Sequence, residues 1–308
     1  MKLRYAIYVL MGITVLSIFP ESVSAQEVKK DTLYYRMVEL YPQSDFAERN
    51  GYEDGGGTGV NTIAPNQPRP KYPRPALRIY PADPANNSGC VLLAFPGGAY
   101  MGIAVNGEGY DWAPFYHGLG VTYVVMTYRL PYGNHRIPQA DVYRAIRYLR
   151  AHAEEYGFRT DKLGVMGSSA GGHLASTVST HAEADARPDF QILFYPVITM
   201  DSVLTHRNSR KYLIGTEPSE SLVRLYSNEL QVDSLTPPAL LLLADDDKVV
   251  LPENSVAYYE ALRRQGIPAS MHIYPEGGHG WGFRESFRFH DAVLHEIREW
   301  LRERALVK

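Results

Sequence analysis

The feature that most constrains the fold of this chain is a rhythm of short apolar runs and helical stretches that begins after Pro75. Runs rich in Val, Leu and Ile occupy residues 91–95, 121–126, 162–166, 190–195, 239–244 and 269–274. They have the length of strands and the continuous apolar character of strands buried on both faces. Between most of them lie stretches with apolar residues at helical spacing. In residues 139–150, Val142, Ala145, Ile146 and Leu149 share one face, and near the end of the chain Val293, Ile297, Trp300 and Leu301 do the same. Buried strands alternating with amphipathic helices imply a mostly parallel central sheet with helices on both faces. Right-handed crossovers then bring the strands' C-terminal ends, and any ligand site, to one edge. Residues 196–236 interrupt the rhythm and are expected to form a small insertion over that edge.

The N-terminal part is organised differently. Lys2 and Arg4 precede an apolar run from Ala6 to Phe19, which ends in Pro20 and the small residues Ser22-Val23-Ser24-Ala25. Residues 1–25 are expected to be a signal peptide cleaved between Ala25 and Gln26, giving a secreted or periplasmic protein with no stable membrane insertion. A membrane span needs about 20 apolar residues, and this run is shorter. No cysteine follows it, so no lipoprotein anchor is indicated. Cleavage takes Lys2, Arg4 and Glu21 from 31 basic and 34 acidic residues, leaving 29 and 33. That balance, with no polybasic block, argues against nucleic acid or anionic lipid as a partner.

Residues 26–75 are expected to be an irregular arm, because Gly51, Gly55, Gly56, Gly57 and Gly59 are followed by Pro65, Pro68, Pro70, Pro73 and Pro75. It is either a surface arm or a segment edging the site. Residues 76–308 would then form the catalytic domain. Cys90 is the one cysteine, which excludes an internal disulfide and fits a buried apolar position.

The chemistry is concentrated at three places. Gly167-Ser168-Ser169-Ala170-Gly171 lies between an apolar strand and an apolar helical stretch. This is the setting of a nucleophile elbow, a tight turn that lifts a serine above the sheet, and only Ser169 fits its frame. A serine hydroxyl needs a general base. Among ten histidines, His279 alone sits in a glycine-rich loop, Gly277-Gly278-His279-Gly280, just after the last strand. His173 is expected to serve packing, and His290 and His295 to lie at the surface.

The base needs a carboxylate to fix its tautomer. Asp245-Asp246-Asp247 ends the 239–244 strand, and the D-x-x-V arrangement before Pro252 selects Asp247, with Asp246 the alternative one register away. The order Ser, Asp, His is that of α/β-hydrolases. Pro96-Gly97-Gly98-Ala99 follows an early strand, where an HGGG-type oxyanion loop belongs, with Pro96 in place of its histidine. Gly98 and Ala99, with Ala170 from the elbow, are the expected N–H donors, each typically worth about 3 kcal/mol of barrier.

With these residues in place, the chain resembles the acetyl xylan esterase-like group of bacterial α/β-hydrolase esterases, related to hormone-sensitive-lipase-like esterases. The resemblance runs from about Pro75 onward through P-G-G-A-Y, G-S-S-A-G-G-H, Y-P-V-I-T-M, T-P-P, D-D-D-K-V-V-L-P-E-N-S and G-G-H-G-W-G. It implies the α/β-hydrolase fold and an acylated carbohydrate as partner, commonly an O-acetylated plant-type polysaccharide or oligosaccharide. The triad chemistry implies no metal or organic cofactor. Tyr100 and Trp281 could stack on a pyranose ring or be ordinary core aromatics, and His206 could touch substrate or anchor the insertion. Glu108 could be a rim contact or a first-turn helix carboxylate. The alternative functions are a feruloyl or general short-chain carboxylesterase, a serine exopeptidase, and a catalytically dead carbohydrate-binding module. An exopeptidase would be expected to carry a further domain for the peptide N-terminus, and a dead module to have lost a triad residue.

Overall fold

The computed structural model describes residues 33–41 and 74–308. The expected signal and most of the expected arm lie outside the described residues. Eight strands form one sheet: β1 (Arg36–Glu39), β2 (Ala76–Tyr80), β3 (Cys90–Phe95), β4 (Val121–Thr127), β5 (Leu163–Ser168), β6 (Phe190–Phe194), β7 (Ala239–Ala244) and β8 (Ala269–Tyr274). Their spatial order is β1-β2-β4-β3-β5-β6-β7-β8. The pairs β1–β2 and β2–β4 are antiparallel, and every pair from β4 to β8 is parallel.

The helices among the described residues are α1 (Ala113–Gly118), α2 (Arg136–Ala151), α3 (Ala153–Tyr156), α4 (Ala170–His181), α5 (Arg207–Ile214), α6 (Glu220–Tyr226), α7 (Glu253–Arg264) and α8 (His290–Glu303). Strand alternation divides the interior into two cores. On β3, Val91, Leu93 and Phe95 join the core that includes Val142 and Ile146 of α2, Leu174 of α4 and Tyr258 of α7. Cys90, Leu92 and Ala94 join the core that includes Tyr116 of α1 and Ile297 and Trp300 of α8. The continuous apolar runs are thereby explained, since both faces of each strand are covered. Burial pushes the Cys90 thiol up to about 12 and leaves it a packing group.

Two strands were not legible in the sequence. β1 falls inside the stretch expected to be irregular, and β2 begins directly after its last proline. Arg36-Met37-Val38-Glu39 has no apolar run, and its strand conformation comes from pairing Arg36 with Ile79 through Glu39 with Ala76. As an edge strand it remains largely exposed and charged. Residues 196–236 do form an insertion after β6, holding α5 and α6.

Segment 33–41 is tied to the domain by a buried ion pair. Asp141 of α2 accepts from the Arg129 guanidinium (2.5 Å to Nη2), from the Arg129 backbone N–H (2.9 Å) and from the Tyr41 hydroxyl (2.8 Å). Removing one partner of such a pair leaves a charge without compensation in a poorly solvated site. Arg129→Met is expected to lower stability by about 3–5 kcal/mol, read as a lower urea midpoint at unchanged slope.

Candidate active site

The C-terminal ends of β3, β5, β6, β7 and β8 converge on one site. Between β5 and α4, Ser169 holds φ 54° and ψ −120°, a strained conformation for a residue with a side chain. The turn closes because Gly171 has no Cβ: one built there would collide with Phe95 O and lie 2.8 Å from Pro96 O. The neighbouring strand clamps the turn from the other side. Ser169 N–H donates to Phe194 O (3.0 Å), and Val197 N–H donates to Ser169 O (3.1 Å).

The loop after β8 returns over this turn. His279 Nε2 lies 2.8 Å from Ser169 Oγ, and His279 Nδ1 lies 2.6 Å from Asp247 Oδ2. Since ionised Asp247 can only accept, Nδ1 carries a proton and Nε2 is free to accept from the serine. Asp247 is buried, and its Oδ1 accepts from the N–H groups of Val249 (2.8 Å) and Val250 (3.0 Å), so the carboxylate is fixed before it meets the ring. The adjacent Asp246 is exposed and does not touch the imidazole; its Oδ1 accepts from Gly278 N–H (2.7 Å) and anchors the histidine loop.

The loop after β3 turns back on itself through Met101 N–H and Gly102 N–H, both donating to Gly98 O, and Ala104 N–H, donating to Gly97 O. Ala99 and Tyr100 have φ of 58° and 57°. Among the described residues, the N–H groups of Gly98 and Ala99 donate to no acceptor. Ala170, the first residue of α4, has no helical carbonyl one turn back to bond. These three are the donors expected from the sequence, and they remain available to an oxyanion.

Three expectations at the periphery need correction or sharpening. Tyr100 and Trp281 are 1 % and 2 % exposed, so neither ring presents a face to a sugar. Tyr100 lies beneath the oxyanion loop, its hydroxyl 2.9 Å from His173 Nδ1. His173 Nε2–H donates to Tyr226 O, which leaves Nδ1 as the acceptor for Tyr100, and burial pushes this imidazole down to about 4. Trp281 stacks on Phe287, with centroids 4.5 Å apart and planes 7° from parallel, and meets Phe194 and Tyr195 edge-on. Both aromatics are core residues. His206 differs. Half-buried, with Nδ1 bonded to Ser209 Oγ (2.9 Å), it is anchored within the insertion and interacts electrostatically with His279 and Asp247. Burial and the His279 charge hold its proton affinity down.

Glu108 is neither a rim contact nor a helix-start carboxylate. It is 8 % exposed and precedes a single turn of 3-10 helix (Tyr110–Trp112) whose N-cap is Gly109. Its Oε2 accepts from Gly97 N–H (2.7 Å) and its Oε1 from the Tyr195 hydroxyl (2.9 Å). Burial raises its pKa against the pull of those donors. Tyr195 was missed, although it opens the Y-P-V-I-T-M motif; nothing in that motif says that its hydroxyl turns toward the site.

A mostly parallel sheet, an elbow serine and a histidine–aspartate pair at one sheet edge are the architecture of an α/β hydrolase. A sequence profile of the alpha/beta hydrolase fold family matches residues 92–283, and the chain belongs to that family. Over 223 residues the chain is 40 % identical to an acetylxylan esterase of Xylanibacter ruminicola, covering 71 % of this chain and 46 % of that protein. It is 33 % identical over 204 residues to endo-1,4-beta-xylanase B of Butyrivibrio fibrisolvens, covering 61 % of this chain and 32 % of the relative. The chain thus spans less than half the length of these two curated relatives. Among solved structures, an acetyl ester-xyloside bifunctional hydrolase from Caldicellulosiruptor lactoaceticus superposes with a TM-score of 0.75 at 29 % identity, over 89 % of this chain and 97 % of that one.

The elbow's steric requirement is testable. In Gly171→Ala the added methyl meets the end of β3, so the variant is expected to lose about 1–3 kcal/mol of stability. Labelling of Ser169 by a fluorophosphonate should slow further than the variant's melting temperature explains, because the turn that carries Ser169 must open.

Proposed function

We propose that this chain is a serine carboxylic-ester hydrolase that removes O-acetyl groups from plant-type polysaccharide or oligosaccharide through an acyl-enzyme. The observation that carries the reading is the unbroken relay from Asp247 through His279 to Ser169 Oγ, with contacts of 2.6 and 2.8 Å. Three unpaired N–H groups beside it, those of Gly98, Ala99 and Ala170, add the oxyanion half of the machinery.

In this reading His279 Nε2 takes the proton of Ser169 as Oγ attacks the acyl carbon. The negative charge that develops on the carbonyl oxygen is met by the three N–H groups. The imidazolium, steadied by Asp247, returns the proton to the departing sugar hydroxyl. Water then attacks the acyl carbon while losing a proton to the same nitrogen, and the Ser169 Oγ–acyl bond breaks to release acetate as His279 returns that proton to Oγ. His206, on the insertion and electrostatically coupled to His279, serves the sugar side of the bond. The acetyl and carbohydrate assignment is supported by the relatives named for acetylxylan and acetyl ester-xyloside hydrolysis. Export is supported by the N-terminal pattern, and the mature protein should begin at Gln26.

Rates on acetyl, butyryl and feruloyl esters, followed by acetate release from acetylated xylan, test the assignment. Acetyl esters should be turned over fastest, and activity confined to long or aromatic acyl groups would overturn it. The two neighbouring aspartates should separate cleanly. Asp247→Asn is expected to lower kcat by about 10⁴, the scale set by mis-orienting such an imidazole. Asp246→Asn, which only weakens the Gly278 anchor, should cost about tenfold or less. His206→Ala should raise KM for acetylated xylo-oligosaccharides while leaving 4-nitrophenyl acetate kinetics nearly unchanged; equal effects on both would remove it from the sugar side.

A further inference from the structure

We propose that Glu108 is a positioning residue that holds the oxyanion loop and the His279 loop in register, acting through Tyr195. The proposal rests on the serine-hydrolase reading above and adds a residue that lies outside the triad.

Three hydrogen bonds in series carry it. Gly97 N–H donates to Glu108 Oε2 at 2.7 Å, directly ahead of the donors Gly98 and Ala99. The Tyr195 hydroxyl donates to Glu108 Oε1 at 2.9 Å. The same hydroxyl accepts from Gly282 N–H at 2.9 Å, in the loop that carries His279. A fourth bond, Phe283 N–H to Gly107 O at 2.8 Å, joins the same two segments alongside. The Tyr195 ring meets His279 edge-on with centroids 4.8 Å apart, and Tyr195 N–H is pinned to Leu242 O of β7. The brace therefore touches the oxyanion loop, the end of β6 beside the elbow, and the histidine loop.

The position is close to the chemistry. A Cβ built on Gly97 would lie 2.7 Å from Glu108 Oε2 and 2.9 Å from Ser169 Cβ, so the carboxylate and the nucleophile flank one glycine. Pro96, in place of the histidine of HGGG loops, has no N–H with which to anchor the segment. Its carbonyl instead accepts from the Tyr128 hydroxyl (2.7 Å), and the next N–H goes to Glu108.

A carboxylate is also more than a neutral hydrogen-bond acceptor here. Among the described residues Glu108 makes no salt bridge to lysine or arginine, and the cation within its electrostatic reach is protonated His279. Asp247 bonds His279 from the β7 loop, His206 interacts with it from the insertion, and Tyr195 packs on its ring. Glu108 and His279 interact electrostatically, so the carboxylate favours the imidazolium that forms when Ser169 gives up its proton.

The test uses the full chain with 4-nitrophenyl acetate and compares wild type, Glu108→Gln, Tyr195→Phe and the double variant across pH. Glu108→Gln keeps the shape, removes the charge, and replaces one of the two acceptor oxygens with a donor. Its kcat should fall about tenfold to a hundredfold, the scale of a small misplacement of reacting groups, with KM within about twofold. Losing the nearby charge destabilises the imidazolium, so the acid limb of kcat/KM should move to lower pH, by about half a unit to one unit. Tyr195→Phe keeps the charge and cuts the brace, so kcat should fall with the acid limb nearly in place. The double variant should be little worse than the weaker single variant, because both act in one chain of contacts.

A kcat for Glu108→Gln within about threefold of wild type, or a loss with an unmoved acid limb, overturns the proposal. If Glu108→Gln fails to fold on thermal melting, Tyr195→Phe carries the test, and an undiminished kcat there overturns it. An active wild type with unaffected variants removes Glu108's role alone. An inactive wild type removes the serine-hydrolase reading, and this proposal with it.

Discussion

The hydrogen bond between Ser169 and His279 is the contact on which the rest of this structure depends. Its partners are 110 residues apart in sequence, and each stands at the end of a different strand. Neither loop could hold such a contact alone. The parallel sheet aligns the strand ends, the two helical layers bury both faces of the strands, and the backbone around each turn is fixed by neighbouring strands. A hydrogen bond is short-ranged and directional, so an error in any of these layers would separate the pair.

The site is accordingly built from backbone more than from side chains. Ser169 sits in a strained turn held by Phe194 O and the chain after β6. Asp247 is oriented by the N–H groups of Val249 and Val250, and the histidine loop by Asp246 through Gly278. The two aspartates divide the work: one meets the ring, the other ties down the chain that carries it. At the base of the oxyanion loop, Tyr100 and His173 form a buried support, with burial lowering the proton affinity of the imidazole. Stored strain at the nucleophile is tolerated because these surrounding contacts determine the turn.

Periodicity and local motifs were sufficient for the inner sheet, both helical layers and the residues that meet at the relay. Val142 and Ile146, or Ile297 and Trp300, reveal a buried helix face because burial has a period. Ser169 and His279 were legible because a tight turn and a glycine-rich return leave local marks. What remained hidden depends on contacts distant in sequence. β1 exists through pairing with β2, which Arg36-Met37-Val38-Glu39 does not advertise. Tyr100 and Trp281 read equally well as platform or core, since aromatic composition does not say which way a ring turns. Glu108 read as a rim contact or a first-turn helix carboxylate because nothing local marks its partners: Gly97 lies further back on the same connection after β3, and Tyr195 follows β6. Charge in sequence predicts solvent exposure only when no buried donors await it.

The account's central claim is that Ser169 Oγ is the nucleophile and that His279 makes it one. Fluorophosphonate labelling followed by peptide mapping on the mature protein tests this most directly. The account predicts a single adduct on Ser169, none on Ser169→Ala, and labelling of His279→Ala slowed by about 10³ or more. An adduct on another residue, or labelling indifferent to His279, would contradict it.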